Sequence, residues 1–231
     1  MKKLLIASTS TVYGSGYLEY LQPALTSFFK GITIVLFIPY ARPGGISYEA
    51  YTKKVKEAFA SIDIEVQGIH EFKNPKRAVQ EAQAIFTGGG NTFELVHQLY
   101  ANDLLVDLKE VIENGTPYLG TSAGSNICGV SMMNTNDMPV VYPPSFVTLG
   151  LIPFNINAHY LDPIQGSTHM GETRETRIQE FHFYNETPVV GLREGSWLEV
   201  MGSKIILKGN LTARLFQKGT HPIEIESGSV V

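Results

Sequence analysis

The sequence predicts an α/β protein with a doubly wound, mostly parallel sheet and additional strands toward its carboxyl end. Three observations predict it. Through residue 130, short apolar runs closed by hydroxyl residues, proline or glycine alternate with stretches whose apolar residues recur at helical spacing. In Gly120-Thr121-Ser122-Ala123-Gly124 a serine stands between two glycines where a strand-like run gives way to a helical one, the Gly-x-Ser-x-Gly elbow pattern. After Gly129 the alternation gives way to short strands and loops.

Taken in order, residues 4–8 form an apolar run ending in hydroxyls, as a parallel strand running into a functional loop would. A helix follows over 17–29, with Leu18, Leu21, Leu25 and Phe28 near helical spacing. Residues 32–38 make a second buried strand, closed by Pro39 and the loop Arg42-Pro43-Gly44-Gly45. Ser47 is placed to cap a helix over 47–60, and a third strand is expected at 62–66. Asn74-Pro75 reads as a cap followed by proline at the first helical position, opening a helix to about residue 82. A fourth strand at 84–87 runs into Gly88-Gly89-Gly90-Asn91-Thr92. Helices at 93–100 and 104–114 lead to the strand before Ser122, and a small-residue helix over 125–130 follows it. Beyond the short strands and loops of 132–144 and 147–159, a helix at 172–183 precedes strands at 189–190, 197–201 and 204–207. No repeat, low-complexity tract or linker interrupts the chain, which predicts one domain over 1–231.

Bulk composition excludes several function classes. At 231 residues, with 43% hydrophobic and 17% charged residues, the chain can bury a substantial core. A net charge of −4 without a basic stripe gives no footprint for nucleic acid. Cys128 is the sole cysteine, so no internal disulfide can form, and a reducing, cytoplasmic compartment is expected. The first seven residues are too short an apolar run for a secretory leader and read as a strand, and no stretch has membrane-spanning length. No His/Cys/Asp/Glu group has metal-ligand spacing, so neither metal nor cofactor is expected.

In an open α/β sheet the functional crevice lies beyond the carboxyl ends of the strands, where both the triple glycine and Ser122 fall. Gly120 and Gly124 allow a turn tight enough to push the Ser122 hydroxyl outward, and the N–H of Ala123 points where an oxyanion would form. Gly88-Gly89-Gly90 lacks the lysine of a Walker A loop and the last glycine of a dinucleotide fingerprint. A second oxyanion donor suits it better. Ser122 needs a base, and six histidines compete: His70, His97, His159, His169, His182 and His221. His159 stands out because Phe154-Asn155-Ile156-Asn157-Ala158 alternates with period two and delivers it to a strand end on the polar face. The base in turn needs an orienting acid. Asp137, in a loop after the elbow helix, and Glu194, at the end of a late buried strand, both qualify.

Several blocks together resemble one family. Gly-Gly-Gly-Asn-Thr at 88–92, Gly-x-Ser-Ala-Gly-x-Asn at 120–126, Asn-Asp-Met-Pro at 136–139, Asn-x-His at 157–159, Gly-Glu-Thr-Arg-Glu-x-Arg at 171–177 and Glu-Gly-x-Trp at 194–197 are similar to the peptidase E family of α-aspartyl dipeptidases. The resemblance runs from the first strand nearly to the carboxyl terminus. It implies a three-layer, class I glutamine-amidotransferase-like (flavodoxin-like) scaffold and a serine peptidase that removes amino-terminal aspartate from dipeptides. By position it implies Ser122 as nucleophile, His159 as base, Glu194 as orienting acid, Asp137 as a supporting or rival acid, and Gly90 and Ala123 as oxyanion donors. A dimer is also implied. An aspartyl carboxylate needs a fixed cation, for which Arg174 is the first choice and Arg177 the second. Two positions depart from the family pattern: Thr121 where tryptophan is usual, and Arg193 where proline is expected. The alternatives are a cyanophycinase-like hydrolase of aspartyl-arginine polymers and a non-catalytic binding domain on the same scaffold.

Overall fold

A computed structural model describes residues 1–163, 166, 168 and 170–231; His169 lies outside the described residues. In chain order the elements are β1 (Lys3–Ala7), α1 (Gln22–Phe28), β2 (Ile34–Ile38), α2 (Tyr48–Ala60), β3 (Glu65–Gly68), α3 (Pro75–Gln80), β4 (Ile85–Thr87), α4 (Thr92–Ala101), α5 (Leu105–Glu113), β5 (Tyr118–Thr121) and α6 (Ala123–Asn126). There follow β6 (Asn155–Ala158), α7 (Arg174–Tyr184), β7 (Val189–Leu192), β8 (Ser196–Met201), β9 (Lys204–Gly209), β10 (Ala213–Phe216) and β11 (Ile223–Ile225).

Seven strands form the main sheet in the order β3-β2-β4-β5-β1-β8-β9. The first five are parallel, and β8 and β9 extend the sheet antiparallel beside β1. Parallel strands covered on both faces need apolar residues at every position, and β1 has Leu4, Leu5, Ile6 and Ala7 at 1% exposure or less. Their alternation sorts them into two cores. Leu5, Val35, Phe37, Phe86 and Leu119 face α1 and α2, while Leu4, Ile6, Leu36, Ile38, Ile85 and Tyr118 face α3, α4 and α5. This is the expected three-layer, doubly wound arrangement. A second sheet of order β11-β10-β7-β6 joins the latter core through Ile156, Val190, Leu192, Ala213 and Ile225. Its outer face packs against Ile178 and Phe181 of α7.

Local chemistry accounts for most element ends. Ser47 and Asn74 cap α2 and α3, accepting the N–H groups of Ala50 and Arg77. The third strand starts later than expected. Ile62 and Ile64 both donate to Phe59 O, with Asp63 in the left-handed region at φ 56, so residues 62–64 close α2 and leave Glu65–Gly68 to pair with β2. The elbow helix is only four residues long. The carbonyls of Ile127, Cys128, Gly129 and Val130 accept N–H groups from residues 148–152, which pulls the chain out of the helix. Toward the amino end, a 3₁₀ turn at Glu19–Leu21 replaces the first turn of the helix expected from residue 17. Of the expected irregular region 132–159, only β6 is a regular strand; Ser131 and Val147 form an isolated bridge.

Candidate active site

β5 ends at the elbow. Ser122 sits at φ 53 and ψ −111, a sparsely populated conformation for a residue with a side chain. Its glycines are fixed by contact. A Cβ on Gly124 would stand 2.1 Å from the Thr87 carbonyl oxygen, and one on Gly120 would stand 2.4 Å from Gly124 O. The helix therefore presses against β4 and β5 at a distance that no larger residue permits. The Ser122 N–H donates to Ala7 O at 3.2 Å, which ties the turn to the neighbouring strand.

His159 comes from the other sheet. It follows β6 in the left-handed region at φ 55, and its N–H donates to Ser8 Oγ at 3.0 Å. Ser8 Oγ in turn donates to Leu192 O at 2.6 Å. The ring is held at both nitrogens. Nδ1 lies 2.6 Å from Glu194 Oε1, and Nε2 lies 2.9 Å from Ser122 Oγ. An ionised carboxylate only accepts, so Nδ1 carries the hydrogen and the Nε2 lone pair faces the serine hydroxyl. Hydroxyl, imidazole and carboxylate form one unbroken chain, drawn from residues 72 positions apart between Ser122 and Glu194 (194 − 122).

Asp137 does not touch this ring. Its Oδ2 accepts from the N–H and hydroxyl of Thr92, at 2.7 and 2.5 Å, and from Thr135 Oγ1 at 3.2 Å. It braces the start of α4, where Asn91 caps the helix by accepting from Glu94 N. Of the two acids left open by sequence, Glu194 meets His159 and Asp137 lines the cavity beside it.

That cavity, about 470 Å³, is bordered by Arg42, Ile46, Gly90, Ser122, Asp137 and His159 among others. Among the described residues, the N–H groups of Gly90 and Ala123 find no acceptor. Gly90 adopts φ 149, and a Cβ there would stand 2.1 Å from Ala41 O, so glycine alone fits. Gly90 borders the cavity and Ala123 directly follows Ser122, and two such unpaired backbone donors are the equipment for stabilising a developing oxyanion. Arg174 opens α7, half-buried and without an ion pair to any described residue. Burial lowers its guanidinium from the ordinary value, the neighbouring Arg177 adds to this, and the Asp137 charge opposes it. Arg177 is exposed and lies 3.7 Å from Glu172. Neither arginine forms the immediate wall, where Arg42 stands instead.

Sequence reasoning missed Arg42 and Ser8. Arg42 lies just beyond the carboxyl end of β2, a position that the crevice rule for parallel sheets picks out. Ser8 follows β1 in the same way. Cys128 is fully buried, and burial pushes its thiol up, which leaves it an inert core group. Among the described residues no group of three or more His, Cys, Asp or Glu could hold a metal ion, and no helix is long and apolar enough to cross a membrane.

The sequence profile of peptidase family S51 matches residues 4–208, a span that includes every residue of the Ser122–His159–Glu194 chain. The chain belongs to peptidase family S51. A relative named peptidase E, from Streptomyces coelicolor, is 49% identical over 226 residues, covering 98% of this chain and 92% of the relative. A Drosophila melanogaster protein named "Probable alpha-aspartyl dipeptidase" is 48% identical over 219 residues, covering 94% of this chain and 90% of its own. A crystal structure of a peptidase from an acI-B1 actinobacterium superposes with a TM-score of 0.72 at 17% identity. It covers all of this chain and 96% of its own, which shows a shared fold.

Proposed function

We propose that this S51 protein is a serine dipeptidase that removes amino-terminal aspartate from Asp-X dipeptides through an acyl-enzyme on Ser122, and that its 231 residues form one catalytic domain. The observation carrying the reading is the continuous Ser122–His159–Glu194 hydrogen-bond chain at a cavity bordered by Arg42 and Asp137, in a chain 48% identical to a protein named as a probable α-aspartyl dipeptidase. The single-domain reading is supported by one hydrophobic cluster that draws residues from both sheets.

The reaction follows from the geometry. His159 Nε2 takes the Ser122 proton as Oγ bonds to the aspartyl carbonyl carbon, and Glu194 holds Nδ1–H and stabilises the imidazolium. The negative oxygen rests on the N–H groups of Gly90 and Ala123. The carbon–nitrogen bond then breaks, and His159 gives its proton to the leaving amine. Water resolves the ester: His159 accepts its proton, the hydroxyl bonds to the acyl carbon, and the proton returns to Ser122 Oγ as the ester bond breaks. Arg174 receives the aspartyl carboxylate, and the side of Asp137 that faces the cavity receives the substrate ammonium.

The test is hydrolysis of Asp-Leu, Asn-Leu and Glu-Leu by wild type and Ser122→Ala. Wild type should cleave Asp-Leu at least about 100-fold more efficiently than Asn-Leu, because a site built around a charged partner rejects its neutral isostere. Ser122→Ala should lose roughly 10⁴-fold or more in kcat. Equal turnover of Asn-Leu would remove the carboxylate grip, and an undiminished alanine variant would remove the acyl-enzyme.

A further inference from the structure

One charge on the cavity wall has no part in the reaction above. Arg42 is exposed, lines the cavity that holds Ser122 and His159, and makes no ion pair with any described residue. Its place is nonetheless fixed. The carbonyl of the preceding Ala41 accepts the Asn91 N–H at 2.7 Å and abuts Gly90, so Arg42 directly follows the residue that touches the oxyanion loop, in the segment after β2. Its guanidinium lies 5.3 Å from the ring centroid of Tyr51, a buried residue. Tyr51 Oη accepts the Gly89 N–H at 3.0 Å. The cation is thus stacked on the ring that braces the glycine loop, beside the place where the scissile carbonyl would sit.

We propose that Arg42 binds the free α-carboxylate of the leaving residue and thereby selects dipeptides over amidated or longer chains. This inference rests on the Asp-X reading. An Asp-X dipeptide carries an ammonium and a side-chain carboxylate on its first residue and a terminal carboxylate on its second. Asp137 and Arg174 lie within electrostatic reach of each other, a match for the two opposite charges of one residue. The remaining carboxylate sits two bonds beyond the scissile nitrogen, on the leaving side, and Arg42 is the cation left to meet it. A planar guanidinium suits this task because its fork takes both carboxylate oxygens, and extending or amidating the peptide turns that acceptor into a neutral amide. Bringing the carboxylate to the cavity without a partner would cost its hydration.

The experiment compares Asp-Leu with Asp-Leu-amide, which lacks only the terminal charge, on wild type, Arg42→Gln and Arg42→Lys. Wild type should prefer the free acid. Arg42→Gln should lower kcat/KM for Asp-Leu by about 10- to 100-fold, chiefly through KM, the scale of a charge-assisted hydrogen bond. The loss on the amide should be at least about ten times smaller, so that the preference disappears. Arg42→Lys, which keeps the charge but not the fork, should recover part of it. If Arg42→Gln lowers both substrates equally, the arginine only supports the loop and the inference fails while the Asp-X reading stands. If wild type treats acid and amide alike, the inference fails in the same way. If wild type cleaves neither, the Asp-X reading falls and takes this site with it.

Discussion

Arg193, which stands where the family resemblance implies proline, is the centre of an ionic cluster whose removal should be measurable. Its Nε and Nη2 donate to the two oxygens of Asp162 at 2.7 Å each, and Nη1 donates to Glu224 at 2.9 Å and to the Thr212 carbonyl at 3.0 Å. Arg193 itself is only 14% exposed, whereas Asp162 and Glu224 are 47% and 43% exposed. Breaking a fully buried pair costs about 3–5 kcal/mol, but these carboxylates can turn to water when the partner is lost. Arg193→Met, which keeps the apolar stem, should therefore cost about 2 kcal/mol at neutral pH and lower Tm by roughly 4–8 °C for a chain of this size. The pH dependence gives a second handle. Hydrogen bonds from Arg193 are the leading cause holding both the Asp162 and Glu224 carboxyls below their ordinary values, and the guanidinium itself is pushed up and stays charged. A depressed carboxyl contributes stability above its unfolded pKa and loses it as pH falls through the folded value. The Tm gap between wild type and variant should be full at pH 7 and shrink below about pH 4, where free carboxyls titrate. Thermal melts of both proteins from pH 7 to pH 3 test this. A gap that stays constant across that range would refute the charge-based account and leave only lost packing.

Two further predictions separate roles within the site. Glu194→Gln should reduce kcat by about 10²–10³ with little change in KM, less than for a buried orienting acid because Glu194 is 46% exposed. Asp137→Asn, which leaves the Ser122–His159–Glu194 chain in place, should act mainly on KM for Asp-Leu, and steady-state kinetics of the two variants would show the split. Gly124→Ala should destabilise by about 3 kcal/mol or more, since its Cβ would meet backbone at 2.1 Å. Gly219→Ala, with open space and φ +75, should cost only about 1 kcal/mol of backbone strain, and urea midpoints would rank them.

The parts of this architecture that were legible in the sequence are those decided by neighbours along the chain. Ser47 and Asn74 cap their helices through their own oxygens, and the Gly120–Gly124 spacing announces the elbow. The orienting acid was legible only through the family resemblance, which implies Glu194; from the residues alone, Asp137 and Glu194 are both loop acids until the strands are paired. β6, α7 and β7 form a parallel strand–helix–strand unit in which Ala158 registers with Leu192, so the residues just past each strand emerge at one edge. That register brings Glu194 to His159, whereas no strand leads into Asp137. The third strand was misplaced for a related reason: apolar Ile62 and Ile64 are used in closing α2, which only the tertiary hydrogen bonds to Phe59 reveal.

The His159–Ser122 contact spans two sheets, and one small residue ties them together beside it. Ser8, buried past the end of β1, donates its own N–H to Ser196 O in the main sheet, while its hydroxyl accepts from His159 N and donates to Leu192 O in the second. Both strand ends that carry His159 and Glu194 are therefore referenced to the strand adjacent to β5, on which Ser122 stands. A nucleophile and its base held on separate sheets need such a common anchor, because a displacement of 1 Å between them would lengthen the 2.9 Å Oγ–Nε2 contact beyond hydrogen-bonding range. The site thus depends on the seam between the sheets as much as on the elbow.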